Sequence, residues 1–234
     1  MALMFSHISR AWNDLLVHSE KTSLRWVSEL DRKAILLCLA TIFLGVGLYG
    51  ASIGIWHGPK LATFTAIKLP LIILITLTVN SVINGMLAVL LGSRLSFIQT
   101  AFAILAAFTV FALIVGSLSP VTMAMALDLP SPDLSNAEVI HRRLLLTHTV
   151  IIALAGLVST GRLFKLLTHF TETVAATRCC FAALIFGNLF VGAQISYLLR
   201  PIFGQPSLKI EFLRPDLFRG NFYESVWWAL THSF

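Results

Sequence analysis

The sequence predicts an all-α integral membrane protein. It has five transmembrane helices, an N-terminal amphipathic helix and an interfacial C-terminal tail. Two observations carry this. Of 234 residues, 57% are hydrophobic and only 12% charged, whereas soluble domains run near ~25% charged. Apolar runs also recur at a length near the ~20 residues that cross a ~30 Å hydrocarbon core as a helix. On this reading residues 1–33 form the N-terminal segment, 34–199 the membrane domain and 200–234 the tail.

In the first segment Ile8, Trp12, Leu15, Leu16, Leu24, Trp26, Val27 and Leu30 recur at roughly helical spacing, with charges between them. One or two amphipathic helices are expected, broken near Ser19–Ser23. They lie at headgroup level or pack on the membrane domain. No apolar core of a signal peptide is present, so the first span is expected to direct insertion.

The five spans are expected at 34–56, 69–91, 97–118, 144–160 and 179–199. In the first, Gly47, Gly50, Ala51 and Gly54 share one face, and Gly50 and Gly54 make a GxxxG pair. Such a face admits a second backbone closely, because no side chain intervenes. Lys68 and Pro70 mark the start of the second span, where proline costs little. The link "GSRLS" is short enough to make spans two and three an antiparallel hairpin, and span three has room to run past Pro120 to Leu127. Asp128–Val139 reads as a loop, with Ser135 and Glu138 spaced as a capping box. The tail repeats "LRP" at Leu199–Pro201 and Leu213–Pro215. Its aromatic end, with Phe222, Tyr223, Trp227 and Trp228, suits the membrane surface or one end of the bundle.

The net charge of +6 comes from basic residues scattered between the runs, with no stripe that would suit nucleic acid. The lipid bilayer is the expected partner of that charge. The cluster before span one favours a cytoplasmic N-terminus. Cys38, Cys179 and Cys180 show no metal spacing, and adjacent thiols rarely bridge.

Within the apolar runs, Thr76, Asn80 and Asn84 fall at i, i+4 and i+8 on one face of span two. A buried amide needs a partner, since hydrocarbon offers no water. Asn188 and Gln194 of span five are the candidate partners. These four amides are expected in the bundle interior, as glue or as the lining of a polar path. No charged residue is expected centrally in a span, and His148 is expected as a hydrogen-bonded core residue. HExxH and phosphate-loop patterns are absent from the sequence. The expectation is therefore no enzyme, no cofactor and no metal.

"YGASIG", "AIKLPLIILITL", "VGAQISYLLRPIFG" and "FLRP…NFYES" together resemble an uncharacterised family of bacterial multi-pass membrane proteins, grouped loosely with the Yip-type five-span proteins. The resemblance covers about residues 34 to 225. It implies a five-helix bundle in a bacterial cytoplasmic membrane, and no substrate or catalytic residue. The matching positions are Lys68, Pro70, Gln194, Arg200, Pro201 and Gly204. With the N-terminus inside, Lys68 and Arg200 would form a basic rim on the outer face. That rim would order the tail through Glu211, Asp216 or Glu224, or hold an anionic headgroup. The expected function is a non-enzymatic scaffold or assembly partner in a larger complex, or a homo-oligomer. Its partner surface would be the glycine face or the N-terminal helix. The alternative is transport of lipid or a small solute along a polar path between spans two and five.

Overall fold

The computed structural model describes residues 19–91, 93–132, 137–204, 209–214 and 218–224. The expectations placed on Ile8, Trp12, Leu15, Leu16, Ser135, Asp216, Trp227 and Trp228 lie outside the described residues. The elements are α1 (Ser19–Glu29), α2 (Arg32–Gly54), a 3-10 turn (Ile55–His57), α3 (Pro59–Leu90), α4 (Phe97–Leu127), α5 (Ala137–Thr168) and α6 (Val174–Leu198). Helices α2 to α6 are each long and apolar enough to cross a membrane. Among the described residues the one β feature is an isolated antiparallel bridge between Ser93 and Thr171.

Local chemistry explains the helix ends. Leu30 takes φ +51°, and Asp31 then caps α2 by accepting from the Lys33 amide at 2.9 Å. The chain therefore breaks at Leu30–Asp31, and the described residues from Ser19 to Glu29 are helical. Gly58 takes φ +112° and Pro59 opens α3, a first-turn position where its missing N–H costs nothing. Span two thus starts ten residues before the expected 69, and Pro70 lies inside the helix rather than at its start. Ser96 and Gln99 form a reciprocal capping box that opens α4. Thr173 caps α6 through the Ala176 amide at 3.1 Å. The fourth and fifth helices both start earlier than their apolar runs, because arginines and threonines extend them beyond the hydrocarbon-like core.

Helix α2 is the hub, packed against both α3 and α4. Helices gain little hydrophobic drive from one another in lipid, so close van der Waals contact has to hold them. Glycine supplies it. A Cβ on Gly54 would come within 2.6 Å of the Ala62 nitrogen, and one on Gly50 would collide with the Thr65 backbone. Gly47 faces the Ala66 carbonyl, the oxygen that Pro70 leaves without its helical donor. On the other side a Cβ on Gly45 would lie 2.5 Å from the Ala112 oxygen, and one on Gly116 would lie 2.8 Å from the Gly45 Cα. In α4, Pro120 leaves the Gly116 carbonyl without its donor, and the Ser119 hydroxyl donates to it at 2.7 Å. The main apolar core gathers Cys38, Ile42, Val46 and Tyr49 of α2, Phe102 to Leu105 of α4, and Leu163, Leu166 and Leu167 of α5. Helix α1 closes one end, burying Trp26 and Val27 against this core. Helix α6 lies at the edge, packed chiefly on α3 and α5.

The two hairpin links are tied together. The Arg94 amide donates to the Phe170 carbonyl at 2.8 Å, and the Arg94 guanidinium pairs with Glu172 at 2.5 Å.

Gly50→Ala and Gly54→Ala should each destabilise the detergent-solubilised bundle by roughly 1–3 kcal/mol, since backbone cannot yield to a Cβ. Gly161→Ala, with open space around it, should be neutral or stabilising by up to about 1 kcal/mol. Thermal unfolding of the three variants checks this, and equal losses would contradict it. A second expectation concerns pH. Arg94 holds the Glu172 carboxyl below its ordinary value. A depressed carboxyl contributes stability above its unfolded pKa, and that contribution is lost as pH falls through the folded value. The protection factor of the Arg94 amide, its exchange rate relative to the unprotected rate at the same pH, should therefore fall as the pH drops through the folded value of Glu172, and Arg94→Gln should remove that dependence.

Candidate functional site

The sequence-predicted stripe on α3 faces α6, and the two helices run antiparallel. Asn84 lies opposite Gly187, Asn80 meets Asn188, and Thr76 lies against Gly192. The Asn80 Nδ2 donates to the Asn188 Oδ1 at 2.6 Å. Gly187 and Gly192 bring the backbone of α6 close enough for this, because no side chain of α6 stands between.

This seam is under-satisfied. Thr76 Oγ1, Asn80 Oδ1 and both amide atoms of Asn84 are buried without a hydrogen-bond partner. Elsewhere in the bundle, hydroxyls solve the same problem locally. Thr41, Thr65, Thr78, Ser81 and Thr109 each donate to the carbonyl four residues earlier. Thr76 does not. An unpaired buried polar group costs of order 1–3 kcal/mol, so three consecutive turns of α3 carry a cost that a leucine stripe would avoid.

Gln194 does not join the other amides. Its Oε1 accepts from the Phe222 amide at 3.1 Å, and it lines an open groove of about 550 Å³ with Phe190, Asn221, Tyr223 and Glu224. The cause is position: Gln194 stands beyond Gly192 toward the tail end of α6, and the tail folds back there. Tyr223 stacks on Phe190 at 4.8 Å and donates to the Phe190 carbonyl at 2.7 Å. Tyr197 donates to the Arg219 carbonyl at 3.1 Å.

Lys68 and Arg200 do not form one rim. The early start of α3 places Lys68 about two and a half turns inside the helix. It is 0% exposed. The sequence placed Lys68 at the entry of span two, and the structure puts it inside that span, short of its middle. The Lys68 ammonium donates to the Pro201 carbonyl at 2.9 Å and lies 5.2 Å from the Phe212 ring centre. Arg200 instead stacks on Tyr197, 3.8 Å from its ring centre. The tail is docked, but among the described residues through carbonyls and rings, with no ion pair from Glu211 or Glu224.

The predicted glycine face, Gly47, Gly50 and Gly54, is occupied by α3 of the same chain. It is the helix-packing face the sequence indicated, with the second helix supplied by the chain itself. The three thiols are free.

His148 is the hydrogen-bonded core residue the sequence suggested, but its partner and the pair beside it were not foreseen. Tyr49 of α2 and His148 of α5, each 1% exposed, meet with Tyr49 Oη 2.9 Å from His148 Nδ1. Below it, Ser52 bonds Thr122 at 2.7 Å. His148 Nε2 has no partner, and its ring lies 5.9 Å from Phe203 in the returning chain.

Asn80→Ala and Asn188→Ala should couple by about 0.5–1.5 kcal/mol in a double-mutant cycle. Asn84→Leu should cost less than Asn80→Leu, because it removes an amide that bonds nothing. Equal losses would mean that Asn84 is ordinary glue. No family model matches the chain, and no similar curated protein or solved structure was found.

Proposed function

We propose that the chain is a non-enzymatic, multi-pass transport-type protein that passes lipid headgroups or small polar solutes along the α3–α6 seam. The observation that carries this reading is the row of buried, unpartnered polar atoms on Thr76, Asn80 and Asn84. Glue needs its bonds made, whereas a path needs polar atoms left open for what passes. From Lys68 to Asn84 the seam covers about 24 Å of helix rise, most of a hydrocarbon core. Its far wall is glycine at Gly187 and Gly192, which leaves room beside the amides, and the side-chain bond across it is Asn80 to Asn188.

The scaffold reading has less support. The glycine face is filled by α3, and α1 buries Trp26 and Val27 against the bundle. The glycine face and, among the described residues, the apolar side of α1 are engaged within the chain. The proposal keeps the bacterial cytoplasmic membrane and a cytoplasmic N-terminus, which puts Lys68 and the tail on the outer side.

Cysteine accessibility tests the path. Cys38, Cys179 and Cys180 are replaced by Ala, and single cysteines are placed at 76, 80 and 84. Only a thiolate reacts, and a thiolate forms only where water reaches, so each site should label with a charged, impermeant reagent about tenfold faster than Leu189→Cys on the exposed face of α6. Rates no faster than that control would remove the path.

A further inference from the structure

Lys68 is the most anomalous group in the bundle. A protonated lysine in a low-dielectric interior is costly unless a counter-charge or several acceptors receive it. Its ammonium carries three donors. Among the described residues it has one hydrogen-bond acceptor, the neutral Pro201 carbonyl at 2.9 Å. Its other close contact is the face of Phe212, itself packed edge-on against Phe64 at 5.2 Å. No described carboxylate pairs with it. Among the described residues the other charge that acts on it is Arg214, also positive. Among the described residues, two of the three ammonium donors of this buried lysine are thus unmatched at the tail end of the α3–α6 seam.

We infer that Lys68, with Arg214, is a binding site for an anionic oxygen group: a phosphate, free or carried by a lipid headgroup. The phosphate oxygens accept the two unmatched ammonium donors and neutralise the ammonium charge. Pro201 keeps the third donor, and the Phe212 ring is the group that gives way. Arg214 adds a fork of planar donors suited to phosphate geometry. Lys68 supplies the point charge. The site lies where the row Thr76, Asn80 and Asn84 ends, so it also names the substrate class of the path as anionic. In that respect it rests on the transport reading; as a binding site it does not.

The test measures binding alone. Purified full-length protein in neutral detergent is titrated with radiolabelled inorganic phosphate at constant ionic strength. In parallel, protein reconstituted in phosphatidylcholine vesicles containing phosphatidylglycerol is extracted and its retained lipid is weighed by native mass spectrometry. Saturable phosphate binding is expected if the free anion is the ligand, and selective retention of phosphatidylglycerol if the headgroup is. Either should weaken at least about tenfold in Lys68→Gln, survive in Lys68→Arg, and weaken several-fold in Arg214→Gln. Arg214 is only partly buried, so that variant keeps the test decisive if Lys68→Gln fails to fold. Binding that neither Lys68→Gln nor Arg214→Gln alters, or none of either probe, overturns the site. Lys68-dependent binding beside an unlabelled seam keeps the site and removes the path; a labelled seam without such binding does the reverse.

Discussion

The structure depends on one constraint: inside hydrocarbon no water is available to complete a hydrogen bond. Helices satisfy their own backbones, and the exceptions show how strictly the rule applies. Pro120 breaks one backbone bond, and the neighbouring Ser119 hydroxyl repairs it. Ser and Thr within the spans mostly turn back to their own helix. Against that background the bare polar atoms of Thr76, Asn80 and Asn84 form a coherent exception, confined to one face of one helix.

The same constraint removes the hydrophobic effect as a force between helices and leaves close packing to replace it. Glycines at 45, 47, 50 and 54 let α2 touch α3 on one side and α4 on the other. These contacts are backbone on backbone, so they fix position tightly. The contact of α6 with α3 differs in kind. It sets glycine against amides and has one good side-chain bond, Asn80 to Asn188. A close-packed three-helix centre and a polar peripheral seam thus coexist in one bundle, built from the same small residue.

The returning chain after α6 gives the tail end its chemistry. Gly204 takes φ +62° beside Leu61 and His57, so the chain can turn back over the ends of α2 and α3. The stretch between α6 and this turn lays Pro201 over Lys68 and Phe203 beside His148. Two buried nitrogen-bearing side chains, on helices well apart in sequence, are therefore covered by one short stretch of chain.

Helix number and class were legible because apolar length is a local property that any window of the sequence displays. The α3 stripe and the glycine face were legible for a similar reason, since both are periodic on a single helix. Helix ends were less so: the start of α3 at Pro59 was hidden by Lys60 and Lys68, which read as edge charge although one of them is buried. What the stripe and the face would meet was not legible. Asn188 and Gln194 looked like equal partners for the stripe, and only the antiparallel register of α3 and α6 paired one with Asn80 and sent the other to Phe222. Tyr49 and His148 lie 99 residues apart and form one hydrogen-bonded pair. The sequence by itself determined which segments cross the membrane and which of their faces are polar or small. Only the tertiary structure decided which faces meet, and hence which polar atoms stay unpaired. Pairing depends on register and crossing between helices distant in the chain, and no local pattern encodes that.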